Sequence, residues 1–253
     1  TPAQKSAARR NLAIRQGNFP QTSEEELLKS SQAKDDNTRF LTSLQLSRQL
    51  HEAKPDALAN VLLANDNDRW IRAAVLTAAK DEALNLLDRL VQKRQKNRVP
   101  VTNTLKPLGR IIGKGQSKQE LLGVVSKHFG EESPWAAPGQ ISLLTGLAEG
   151  VHGRKFNGSE KSDILSIVKE YPAARTNISL VFKTARKTAL SPNDTEINRK
   201  HSIGLLGHST FDENGNTLLR LLTASQPRTV QVAAVESLRQ LNDLRAAETL
   251  MGP

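Results

Sequence analysis

Apolar residues recur at helical spacing through most of the chain. In residues 65–79, NDNDRWIRAAVLTAA, Ile71, Ala74, Val75 and Ala78 fall at i, i+3, i+4 and i+7, a single stripe with Arg72 and Thr77 off its centre. Just upstream, Leu58, Val61 and Leu62 form the stripe of a preceding helix, so Asp66 to Asp68 read as a tight polar turn between two antiparallel helices. Two further helix starts are marked by capping boxes. Ser23 stands three residues before Glu26 and Ser117 three before Glu120, and each box runs straight into a Leu-Leu pair.

The same arrangement returns elsewhere. Residues 218–238, LLRLLTASQPRTVQVAAVESL, give a Leu-rich helix, a turn with Pro227, then Val230, Ala233, Ala234 and Leu238; Ser225 takes the place of Asp66, and Val230 that of Ile71. Residues 196–206 give a weaker copy with Ile197 33 residues before Val230, and residues 35–46 another with Arg39 33 residues before Arg72. A period in the low thirties, built as helix, turn and helix, predicts an all-α fold, an α-solenoid whose helix pairs stack into a superhelix. The pattern of polar turn, aliphatic residue, Arg and small apolar helix resembles HEAT repeats. On that resemblance the turn carboxylates Asp66 and Asp68 and the arginines Arg72 and Arg39 stabilise the repeat, an Asp capping the second helix and the Arg tying neighbouring repeats together.

The middle of the chain is less regular. Segments 103–116 and 133–161 are helical by period but rich in Gly and Pro. Pro134 after Ser133 suits a first helical position. Gly150, Gly153 and Gly158 mark a loop before a helix expected at 162–170 and another at 175–189. This reads as a longer inter-repeat loop within a single repeat domain spanning 1–253, and the termini read as those of a fragment of a larger protein.

Composition supports the helical reading. Aromatics make up 4% of the 253 residues, where a sheet would draw on aromatic and β-branched side chains. Cysteine is absent, which removes disulfides and thiolate metal sites. No apolar run approaches the ~20 residues that span a bilayer.

The order of segments carries a closer resemblance. NDRWIRAAVLTAA, then SPWAAPGQISLLTGLAEGV, then RKHSIGLLG, then LLRLLTASQPRTVQVAAVESL is similar to the HEAT-repeat region of large exported bacterial proteins classed as membrane-bound dehydrogenases. In those, a sugar-dehydrogenase-like propeller precedes the repeats and a c-type cytochrome domain follows. The chain contains no Cys-x-x-Cys-His motif, so the resemblance implies a connecting scaffold, with the redox chemistry on other domains, no cofactor here and an exported or periplasmic setting.

Charge adds one bias. The formal net charge is +10. Between Arg89 and Lys118 lie nine basic residues and no acid: Arg89, Lys93, Arg94, Lys96, Arg98, Lys106, Arg110, Lys114 and Lys118. A second acid-free stretch, 171–193, holds Arg175, Lys183, Arg186 and Lys187. Three readings compete: a solvated helix face without a ligand; a nucleic-acid surface of the kind found in HEAT-like alkylation-repair DNA glycosylases; and a surface for an acidic partner, whether a polysaccharide, a protein or another domain of the same chain. The glycosylase reading would need Trp70 beside Asp66 or Asp68, and would place the chain in the cytoplasm.

Other chemistry is weakly signalled. His51, His128, His152, His201 and His208 are scattered; His201 and His208, seven apart, share a helix face without a nearby carboxylate to complete a metal set. GRIIGKG and GVHGRKFNG do not fit a phosphate loop. Three sequons, at Asn157, Asn177 and Asn193, mean little in a protein of bacterial resemblance. Trp135 is expected to pack inward at a helix start. The sequence therefore offers no catalytic residue, and the expected function is a non-catalytic repeat scaffold presenting a basic surface.

Overall fold

In the computed structural model, residues 23–47, 52–97, 101–156, 162–241 and 243–251 are described. Among these there are fourteen α-helices, one short 3-10 turn and no strand. The chain divides into two compact units, residues 1–104 and 105–253.

The first unit holds α1 (Glu24–Ser31), α2 (Asp36–Leu46), α3 (Lys54–Asn65), α4 (Arg69–Ala78) and α5 (Ala83–Asn97). Helix α1 begins at the expected capping box: Ser23 accepts from the Glu26 amide, and Glu26 accepts from the Ser23 amide. Asp68 caps α4 by accepting from the amides of Trp70 and Ile71 at 2.8 and 3.0 Å. The stripes of α3 and α4 are buried, including Leu58, Val61, Leu62, Ile71 and Val75. Each such side chain contributes about 1.5–3 kcal/mol by leaving water. Besides its sequence neighbour, each helix packs on the helix two places along: α1 on α3, α2 on α4, α3 on α5.

Helix α6 (Thr102–Gly115) opens at the end of the first unit and runs into the second. The second unit continues with α7 (Lys118–His128), α8 (Ala137–Val151), α9 (Ile164–Val168), α10 (Pro172–Leu190), α11 (Glu196–Leu206), α12 (Phe211–Arg220), α13 (Arg228–Gln240) and α14 (Leu244–Met251). The Ser117–Glu120 capping box starts α7 as expected. Here too alternate helices pack side by side once the five-residue α9 is set aside: α7 on α10, α10 on α12 and α12 on α14, with α8 on α11 and α11 on α13.

Several boundaries differ from the sequence reading. Helix α8 begins at Ala137, with Pro138 in its first turn, because Ser133 is used in the preceding turn: its hydroxyl donates to the His128 carbonyl at 2.6 Å and accepts from the Trp135 amide. The helix expected at 162–170 is the shorter α9, capped by Asp163, and the one expected from 175 begins at Pro172. Ile197 is not the counterpart of Val230, since it is 66% exposed while Val230 is buried. In α11 the buried face is instead led by Arg199, 4% exposed.

Helix α8 is enclosed, with ten of its fifteen residues buried. It meets α6 along a glycine seam. A Cβ on Gly109 or Gly113 would strike the carbonyls of Leu143 and Leu147, and one on Gly146 or Gly150 would strike those of Lys106 and Arg110. Backbone therefore lies directly on backbone, which only glycine permits.

Candidate interaction surface

A long donor stands at the fourth residue of five helices and ties each to the chain that precedes it. Arg39 in α2 donates to the Ala33 carbonyl and pairs with Asp36. Arg72 in α4 donates to the Asp66 carbonyl. Gln140 in α8 donates to the Trp135 carbonyl at 3.0 Å while its oxygen accepts from the Gly130 amide. Arg199 in α11 donates to the Ala189 carbonyl at 3.0 Å and to the Gln226 side chain. Gln231 in α13 donates to the carbonyls of Thr223 and Gln226 at 2.8 and 3.1 Å. The Ala189 carbonyl lies in the last turn of α10, where intrahelical donors run out, and the others lie in the turns between helices; these side chains supply their donors.

Several bonds between helices recur at similar offsets. In the first unit Ala53 to Glu24, Asn60 to Ser31 and Asn65 to Asp36 all span 29 residues. In the second, Thr229 to Glu196 and Arg245 to Asp212 span 33, Ser237 to the Ile203 carbonyl spans 34, and Gln240 to His208 spans 32. The turn residue Asp66, 8% exposed, is spent in this way: its two oxygens accept from the Thr104 hydroxyl at 2.6 Å and the Asn103 amide at 3.1 Å. Asp68 is spent on its cap. Trp70 is 65% exposed and stacks under the Arg69 guanidinium, so the tryptophan of the glycosylase reading faces a cation. Trp135 is 3% exposed, its indole N–H donating to Nδ1 of His128 at 3.2 Å.

The basic run is acid-free in sequence but not in space. Arg89 and Lys93 both pair with Asp56, at 3.2 and 3.1 Å. Lys106 pairs with Glu149 at 2.8 Å, and Lys118 reaches Glu170 at 3.9 Å. Arg110 and Lys114 are exposed on α6, and no acid among the described residues pairs with them. The side chains of Arg94 and Lys96, and all of Arg98, His51 and Asn157, lie outside the described residues.

Around the end of α8 the second unit gathers Lys106, Glu149, His152, His201 and His208. Burial holds His208 down at about 4, with Lys106 and His152 adding to the effect and Glu149 opposing it. His201 is lowered by partial burial and by Lys106 and Lys200. A carboxylate is thus near His208 after all, brought there by the packing of α8 on α11, which sequence spacing does not reveal. Even so, no group of three or more His, Asp or Glu among the described residues is placed to hold a metal ion. Nor is any described helix long and apolar enough to cross a membrane.

No family model matches the chain, no curated protein is significantly similar to it, and no solved structure is either.

Proposed function

We propose that the chain is a non-catalytic interaction scaffold: an α-solenoid of HEAT-type helix pairs that presents a basic edge to another domain, an acidic protein or a polyanion. The observation that carries this reading is the donor at the fourth residue of α2, α4, α8, α11 and α13, repeated with the same job in the same place. A device that recurs with the helix pair, together with interhelical bonds that recur at 29 residues in the first unit and at 32–34 in the second, is what a stack of similar units produces. In such a stack each unit is held by its neighbours. The polar turn carboxylates serve this stack as caps and ties. On the resemblance to exported bacterial dehydrogenases, redox chemistry would belong to other domains of a larger protein.

Two measurements test it. A chain ending at Gly207, lacking α12–α14, should keep the far-UV circular dichroism per residue of the remaining helices, because a stack loses only one interface. Collapse of the whole signal would contradict the stack. Incubation with alkylated duplex DNA should release no modified base; base release would replace the scaffold reading with the glycosylase one.

A further inference from the structure

Helices α6 and α11 flank α8, and each carries exposed cations that no acid among the described residues pairs with, as does α10 with Arg175, Lys183 and Lys187. Lys106 and Lys200 are each the fifth residue of their helix, and Lys106 is close enough to His201 and His208 to act on both rings. Lys106, Arg110 and Lys114 follow one another at i, i+4 and i+8, steps of about 6 Å along one side of α6. Of the acids of this region, Glu149 is paired with Lys106, while Glu196 accepts from the Thr229 hydroxyl and keeps its charge one helical turn before Lys200. Arg110, Lys114 and Lys200 are exposed and find no acid among the described residues.

We infer that the α6–α11 face is a docking site for an extended acidic segment of a protein partner, with Arg110, Lys114 and Lys200 as its carboxylate receptors. The inference rests on the scaffold reading and names its partner's chemistry. Pitch supports it, because alternate residues of an extended peptide are about 6.7 Å apart, close to the spacing of the α6 cations. Number supports it as well. Three uncompensated cations would give duplex DNA a log–log salt slope of only about −3, well short of the 6–10 phosphate contacts typical of tight binding. Neither α6 nor α11 carries Phe, Tyr or Trp for a base to stack on.

The test uses the full chain with labelled deca-glutamate and a short DNA duplex, titrated by fluorescence anisotropy at low and physiological salt. Deca-glutamate should bind more tightly than the duplex, and R110E/K114E/K200E should weaken it by about tenfold or more. R110Q/K114Q/K200Q should fall between that variant and the parent chain. A control with the same charge change on α10, R175E/K183E/K187E, should bind like the parent; all three variants should retain the parent's circular dichroism. Equal loss in the control, no loss in R110E/K114E/K200E, or no peptide binding at low salt would each overturn the site while leaving the stack to be judged by truncation. Tighter duplex binding with a slope steeper than about −5 would overturn the protein-partner assignment in favour of nucleic acid.

Discussion

The Asp66 carboxylate accepts a 2.6 Å hydrogen bond from the hydroxyl of Thr104, a residue 38 positions further along the chain. Its second oxygen takes the Asn103 amide, so a turn between α3 and α4 caps the start of α6. Replacing Asp66 by Ala leaves a buried hydroxyl and a helix-end amide without their acceptor, and should cost about 1–3 kcal/mol in urea unfolding. Asp66→Asn, which keeps one acceptor, should cost less. Arg72 bonds the Asp66 backbone and not its side chain, so Arg72→Ala combined with Asp66→Ala should be close to additive.

The fourth-residue donor admits a substitution test drawn from the chain itself. At Arg199, Met fills the volume but leaves the Ala189 carbonyl without its donor, and should cost about 2–3 kcal/mol. Gln occupies the same place in α8 and α13, where it bonds the preceding turn. Arg199→Gln should therefore recover part of the loss, measured by thermal or urea unfolding.

Gly146 lies against the Lys106 carbonyl, so any side chain must push α6 and α8 apart. Gly146→Ala should destabilise by about 1–3 kcal/mol and Gly146→Val by more. Gly123, whose Cβ would meet nothing within 4 Å, is the matched control. Gly123→Ala on α7 should be neutral or slightly stabilising.

His208 gives the fold an acid sensitivity of known sign. Its folded pKa is about 4, below the ordinary imidazole value of 6.5, first because of burial, which Glu149 opposes and which Lys106 and His152 reinforce. Between those values the unfolded chain binds a proton that the native one does not, so this contribution to stability is intact above the unfolded pKa and is lost as pH falls towards 4. The loss should be on the order of 1–3 kcal/mol. Unfolding curves of His208→Gln should show a correspondingly shallower decline over the same window; an identical decline would assign the acid sensitivity to other groups.

Local signals were legible in the sequence. The capping boxes of α1 and α7, the α4 stripe and the inward Trp135 follow from spacing and residue type alone, because each is decided within one or two helical turns. What escaped were features set by non-neighbours. Apolar periodicity passed over Arg199 in favour of Ile197, since a charged residue scores as surface until its carbonyl partners are known. The basic run looked uncompensated because Asp56 stands 33 residues before Arg89. The glycine seam between α6 and α8 was visible only as Gly-rich sequence; its meaning depends on the two helices crossing.

The stack itself is tested most directly by hydrogen exchange, read by mass spectrometry, on the parent chain and on Arg199→Met. In a stack the perturbation travels to packed neighbours and stops. Protection should fall in α11 and in the helices packed against it, α8, α10, α12 and α13, while α7 and α14 keep their parent values. A uniform loss of protection through residues 105–251 would mean a single cooperative core, and would contradict the account of this chain as helix pairs held each by the next.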